Sequence, residues 1–313
     1  MNTRDMIYTC SAGMIYYEIR GKEESTESYA QKKGVEICIT GYKGNAISLC
    51  IPEEIQGVRV TVIGKKAFLS AAQIEEIELP DSVENIEDWA FASCRKLKRI
   101  SLKKESVHFG RGVFKGSKAI QEIELRSENG EIRPGLGFLF AAGFSLLDTP
   151  YLTDALQAGS RQWYEIWDGR MRMLMDSSDT TGFSQMLMCG VEDYGSRENT
   201  LEHYMHQKRL NKSRVAFLRL RYPHLLADED RSLLEQFVCS HTKGCESEEA
   251  WEILKEEHGD DASYYRLFSE IGAVSEKNRK DMVADLGEQH TELKAYLLKQ
   301  ENAKEDFFDF LSL

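Results

Sequence analysis

Cys239, His241 and Cys245, with His258 downstream, are soft ligands of the kind that zinc takes. Their spacing is neither C-x-x-C nor a finger pattern, and the end of an apolar helix explains them more simply. His203 and His206 stand at i, i+3 beside Glu202. Such a pair can hold a metal, but the H-E-x-x-H arrangement that would supply a general base is absent. Lys208, Arg209, Lys212 and Arg214 form a basic run, continued by Arg219 and Arg221. Its ordinary reading is a solvated helical face, or one that meets acids of the repeat domain, ahead of a phosphate or nucleic-acid site. Trp163, Tyr164 and Trp167, followed by Met171, Met173, Leu174 and Met175, read as core packing where the two domains meet before they read as a groove for a partner helix. G-x-S-x-G, the P-loop and the dinucleotide fingerprint are all missing. The sequence therefore implies no catalytic residue, no metal and no cofactor. An enzyme with a dispersed site in the C-terminal half stands as an alternative, since triads are spatial rather than sequential.

The elements that must position these residues fall into two grammars. From Val60 to Leu125 the chain repeats itself. Val60, Ile63, Ala67, Phe68, Ile74, Ile77 and Leu79 recur 23 residues later as Val83, Ile86, Ala90, Phe91, Leu97, Ile100 and Leu102. A further step of 23 gives Phe109, Val113, Phe114, Ile120, Ile123 and Leu125, with only the opening valine displaced to Val107. So regular an apolar frame marks a solenoid, in which each coil buries its apolar edge against the next. Each pass ends in L/I-x-x-I-x-L, whose last apolar positions alternate with exposed ones as in a half-buried strand. The phenylalanine after A/V plugs the coil interior, and Ser93-Cys94 and Gly116-Ser117 turn the chain back. A first, longer coil places Leu49 and Ile51 at the strand positions, with Pro52 lying 28 residues before Pro80.

The stretches I-P-E-E-I-Q-G-V-R-V-T-V-I-G-K-K-A-F (51–68), I-E-L-P-D-S-V-E-N-I-E-D-W-A-F-A-S-C (77–94) and F-G-R-G-V-F-K-G-S (109–117) resemble BspA-like bacterial leucine-rich repeats. The resemblance covers roughly residues 35–126. It implies a non-enzymatic solenoid that binds a ligand or protein, in a family often found on cell surfaces. A cell-surface, adhesin-like protein is accordingly the second alternative.

Strand alternation turns Glu76, Glu78, Arg99, Ser101, Glu122 and Glu124 away from the solenoid interior. Neighbouring strands lie about 4.8 Å apart, so these six make one small patch. Four carboxylates against one guanidinium leave it net acidic. It reads as the binding face for a protein partner with a basic surface, against the plainer reading of a solvated sheet. Before the repeat, 14–20 and 35–42 are expected strands of a hairpin around a polar loop, covering the open end of the solenoid. After it, Glu128-Asn129-Gly130 is a turn, and 131–148 is a degenerate coil or a bridge.

From about Pro150 the spacing becomes helical, as in Leu233, Leu234, Phe237 and Val238 or Tyr264, Leu267, Phe268 and Ile271. Ser247, Asp261 and Ser275 stand where N-caps belong, while Gly259, Gly272 and Gly287 follow the periodic runs. A faint step of 48 residues carries Leu220, Leu226, Asp228, Arg231 and Leu234 onto Phe268, Val274, Glu276, Arg279 and Met282. The expected fold is α+β. It has a short repeat solenoid with an N-terminal hairpin cap over 1–148, and an all-helical domain of stacked hairpins over 149–313.

A formal charge of −12 argues against a general nucleic-acid binder, whose phosphate contacts need a basic surface. No run approaches the roughly 18 apolar residues of a membrane span. The first residues lack the apolar stretch of a secretory signal, and seven scattered cysteines show no disulfide framework. A cytoplasmic location is the expectation.

Overall fold

The computed structural model describes residues 6–21, 34–102, 107–125, 134–147, 149, 157–189 and 200–299. Most of the polar loop expected at 21–34 and the turn at Glu128–Gly130 lie outside them. The architecture is α+β: a β-solenoid followed by helices. By internal contacts the chain divides into two compact units, Met1–Arg170 and Met171–Leu313, whereas the change of grammar in the sequence falls near Pro150.

The first unit opens with β1 (Met6–Cys10), β2 (Gly13–Arg20) and β3 (Glu36–Lys43), paired antiparallel in sequence order. β1 is an extra strand ahead of the expected hairpin. The first coil then brings β4 (Ser48–Cys50), the two-residue β5 (Glu54–Ile55) and β6 (Val58–Ile63). The next coils bring β7 (Glu76–Leu79) with β8 (Asn85–Ile86), then β9 (Arg99–Leu102) with β10 (His108–Phe109), then β11 (Glu122–Leu125). Two parallel stacks result. One runs β4-β7-β9-β11, with Leu49, Ile77, Ile100 and Ile123 in one rung, all buried. The other runs β3-β6-β8-β10 and so joins the cap to the repeat.

The 23-residue step is visible in every part of the coil. The rings of Phe68 and Phe91 stack at 5.2 Å and 15°, and those of Phe91 and Phe114 at 5.8 Å and 10°. Tyr42 closes this column at one end and Phe144 at the other. Between the sheets the turns also bond coil to coil: Phe68 N–H donates to the Ala90 carbonyl and Phe91 N–H to that of Val113. The Cys94 thiol donates to the Phe68 carbonyl at 3.0 Å, and the Ser117 hydroxyl does the same for Phe91 at 2.6 Å. Here a thiol and a hydroxyl fill one slot because either can satisfy a buried carbonyl. Two columns of left-handed residues bend each turn: Lys66, Trp89 and Gly112, then Ser70, Ser93 and Gly116. Only the third coil uses glycine there. In the second, a bulky Trp89 is held at φ 57, a conformation costing about 1–3 kcal/mol when strained.

Within 131–148, the described residues 134–147 form no further coil. They contain α1 (Leu136–Ser145), which packs on β11 and closes the end of the solenoid. The helix is apolar nearly all round, with Leu136, Leu139, Phe140, Ala141 and Ala142 buried, as expected of a buried helix. Gly137 allows the approach, since a Cβ there would meet the Ile123 carbonyl oxygen. α2 (Arg161–Asp176) follows; Trp163 stacks on Phe140, and the Trp167 indole donates to the Leu139 carbonyl at 2.9 Å. Trp163, Tyr164 and Trp167 are therefore core, while Met173 is exposed.

In the second unit, α3 (Phe183–Cys189) precedes α4 (Leu201–Arg221), α5 (Asp228–Ser240), α6 (Glu249–His258), α7 (Ala262–Glu270) and α8 (Glu276–Leu286). The described elements after Pro150 are all helical. α4 is the hub, packing against α5, α6 and α7 through Val215, Ala216, Phe217 and Leu220. Thr200, Asp261 and Ser275 cap α4, α7 and α8 with side-chain bonds. The N-cap of α6 is Glu248, one residue past the expected Ser247, and makes no such bond. α5 and α8 begin at Asp228 and Glu276, the two positions that the step of 48 relates.

Candidate binding face

Four short strands set the geometry of the outer sheet. Register places Ser48, Glu76, Arg99 and Glu122 in one rung and Cys50, Glu78, Ser101 and Glu124 in the next. All six residues singled out in the sequence are thus brought onto one face. Glu76, Glu78 and Arg99 are exposed; Ser101, Glu122 and Glu124 are half-buried.

The patch is internally braced. Arg99 sits between its rung neighbours, with Nε 3.1 Å from Glu122 Oε2 and Nη1 3.9 Å from Glu76 Oε1. Ser101 Oγ donates to Glu124 Oε2 at 2.9 Å. One column over, Lys98 Nζ lies 2.8 Å from Glu75 Oε2 and Lys96 donates to Gln73. The Lys98 ammonium holds the Glu75 carboxyl below the usual carboxylate range. The middle coil is therefore basic where it touches acidic coils on either side, a pairing that helps fix register. The order of these residues is legible in the 23-residue step, and the stacked strands add the contacts between them.

The second unit uses its charge differently. The run from Lys208 to Arg221 is not a solvated face. Lys212 is buried with Nζ 2.8 Å from Asp179 Oδ1, and Arg209 Nε lies 2.6 Å from Glu249 Oε1. Arg214 forks onto Glu257, while Arg219, fully buried, donates to the Tyr222 and His224 carbonyls. Burial pushes the Asp179 carboxyl up, but Lys212 and Arg209 outweigh it and hold the group low. Glu249 behaves alike under Arg209 and His206. Helical spacing sets these residues on α4, but only tertiary packing brings Asp179 and Glu249 to them.

The other sulfur and imidazole groups have structural partners. Cys239 Sγ donates to the Ile271 carbonyl at 3.3 Å, and Cys245 Sγ to that of Cys239 at 3.6 Å. His241 Nδ1 lies 2.8 Å from the Phe237 carbonyl. His206 lies between Glu249 and Glu252, at 3.2 and 3.3 Å, with His203 elsewhere on the first turn of α4. His258 stacks flat on Tyr264 at 3.7 Å. Among the described residues, no group of three or more His, Cys, Asp or Glu is placed to hold a metal ion. No helix among them is long and apolar enough to cross a membrane.

Comparison with known proteins agrees with the repeat. Residues 47–136 match the BspA type leucine rich repeat region, in six copies. The chain is similar to a leucine rich cell surface protein from Faecalibacterium prausnitzii, at 21% identity and a TM-score of 0.27, over 41% of this chain and 35% of that one. A leucine-rich repeat protein from Bacteroides capillosus matches at 24% identity and a TM-score of 0.27, over 38% of this chain and 99% of its own. The leucine rich repeat protein of T. pallidum matches at 27% identity and a TM-score of 0.23, over 27% of this chain and 50% of its own. The chain thus spans about a third and about half of the lengths of the first and last of these. No curated protein matches it.

Proposed function

Starting from a BspA-type leucine-rich repeat region at residues 47–136, we propose that the chain is a non-catalytic protein-binding module whose repeat sheet docks a partner with a basic surface. The observation that carries this reading is the outer face of β7, β9 and β11. It gathers Glu76, Glu78, Glu122 and Glu124 around a single Arg99, with Ser101 between. The rigid parallel sheet fixes the carboxylates at strand spacing, so no side-chain platform has to be ordered on binding. Charge of one sign raises the encounter rate with a basic partner and rejects acidic ones. The helical unit supports this presentation or adds a second contact, and the domains follow the boundary read from the sequence, 1–148 and 149–313. The module works in the cytoplasm or, as an alternative, at a cell surface.

The test replaces Glu76, Glu78, Glu122 and Glu124 with glutamine and captures partners with the wild-type chain. Slower association at low salt and a flattened salt dependence are expected of the variant, at unchanged melting temperature. Association that is equally fast and equally salt-sensitive in both proteins refutes the docking role of the sheet.

A further inference from the structure

The repeat that carries the acidic sheet also carries its electrostatic complement. Each coil gives one residue to the sheet column Glu76, Arg99 and Glu122. It gives another, 11 positions earlier, to the column Lys65, Asp88 and Arg111, in the turns after β6, β8 and β10. Backbone bonds stack those turns: Lys66 N–H donates to the Asp88 carbonyl and Trp89 N–H to that of Arg111. Along the solenoid the sheet column runs acid, base, acid, and the turn column runs base, acid, base. Both repeat once per coil, about 4.8 Å apart in the sheet, and both read the same in either direction.

The turn column presents its charge to solvent. Lys65 and Arg111 are exposed, the Arg111 side chain to 93%. Among the described residues the Lys65 ammonium makes no ion pair and lies 5.4 Å from the Trp89 ring centre. Asp88 is fixed in the middle of the column, accepting the Arg111 N–H at 2.8 Å and facing its guanidinium at 3.6 Å. Lys66 and Lys115 add positive charge to these turns (64–70, 87–93 and 110–116). Their one other carboxylate, Glu87, is taken by Arg20 at 2.6 Å. In a chain of formal charge −12 this edge of the solenoid is basic. A uniform polyanion meets Asp88 at its centre, whereas a partner of alternating charge is matched at every coil. The chain itself carries such a partner. Sheet and turns are fixed on one solenoid, so the two columns meet only between molecules.

We propose that the acidic sheet of one copy docks on the Lys65–Asp88–Arg111 column of a second copy, so that the chain associates head to tail. This rests on the docking role given to the sheet above and names its basic partner. Glu76 and Glu122 then face Lys65 and Arg111, Arg99 faces Asp88, and Trp89, 37% exposed, borders the contact. The two surfaces differ, so each added copy leaves one sheet and one column free, and assembly continues past a dimer unless a ring closes.

The experiment is sedimentation velocity on the full chain in about 0.15 M salt, where repulsion between the like-charged chains is screened beyond about 8 Å. The sedimentation coefficient is expected to rise with concentration up to about 300 µM, and to return to the monomer value in about 1 M salt. The four-glutamine sheet variant and the double variant Lys65→Glu, Arg111→Glu should each bind themselves at least about tenfold more weakly, with normal melting curves. Mixed, they should form a one-to-one heterodimer and nothing larger, because one intact sheet and one intact column remain. Wild-type chain that stays monomeric at about 300 µM overturns the proposal. So does a mixture that forms no heterodimer, or wild-type self-association retained by either variant alone. These outcomes are separate from capture of another basic partner through the four glutamates, which decides the docking role of the sheet.

Discussion

The repeat and the helical unit both pair charges across neighbouring elements, but at opposite depths. Arg99, 56% exposed, bridges two glutamates on an open sheet. Lys212 and Glu249, at 6% and 3%, sit inside theirs. An exposed pair is screened and is worth about 0–1 kcal/mol. A buried partner left alone costs about 3–5 kcal/mol, because the remaining charge is desolvated and unmatched. The sheet can therefore change its charges with little effect on folding, and the helical unit cannot.

The largest effect is expected in the repeat interior rather than in either charge network. Phe91 is fully buried and stacks on both neighbours, so Phe91→Ala removes two ring contacts and leaves a cavity. A loss of about 4 kcal/mol is expected, read from urea denaturation; a loss below about 1 kcal/mol would show that the coils are held otherwise. Next in size is Glu249→Ala, which takes the buried carboxylate from Arg209 and His206 and leaves them Asp179 and Glu252. It should cost about 2 kcal/mol. Arg99→Ala, made in parallel, should cost less than about 1 kcal/mol. Equal costs would erase the contrast between the two networks.

Buried titratable groups extend the comparison. Burial pushes the Cys38 thiol up to about 12 and that of Cys94 up to about 11, so neither forms thiolate near neutral pH. Thiol labelling at pH 8 should reach exposed Cys50 first and these two only on unfolding. In the helical unit, burial against Tyr264 and Phe217 lowers the His258 pKa. Its folded-state value lies below the unfolded one, so the native state binds fewer protons. Stability is complete above about pH 6.5 and declines as pH falls from there through the folded-state pKa. His258→Phe should flatten that decline above the carboxylate range; an unchanged slope would assign it to another group.

Legibility followed the same division. The positions of Phe68, Phe91 and Phe114, the strands of the outer sheet and the parallel stacking were readable because a 23-residue period repeats one physical constraint three times. α1 was not readable. Its residues are apolar nearly all round, so they show no helical stripe, and the stretch reads as a degenerate coil or a bridge instead. The partners of Lys212 and Arg209 were also hidden, since Asp179 and Glu249 lie 33 and 40 residues away and occur once each.

The smallest stability effect has the sharpest functional meaning. Arg99 is the one cation among the six residues of the sheet face, flanked in its rung by Glu76 and Glu122. Removing it takes the patch from net −3 to net −4 and frees two carboxylates from a shared partner. If the sheet only needs to be soluble and in register, Arg99→Ala lowers stability slightly and does nothing else. If the sheet docks a basic partner, the same substitution strengthens the field that steers encounter, and association at low salt accelerates. Added salt should remove the gain, because the Debye length falls to about 8 Å at 0.15 M. One variant therefore moves stability and association in opposite directions under the docking reading, an outcome that misfolding cannot imitate. Association that stays constant or slows at low salt would take the sheet face out of the binding site.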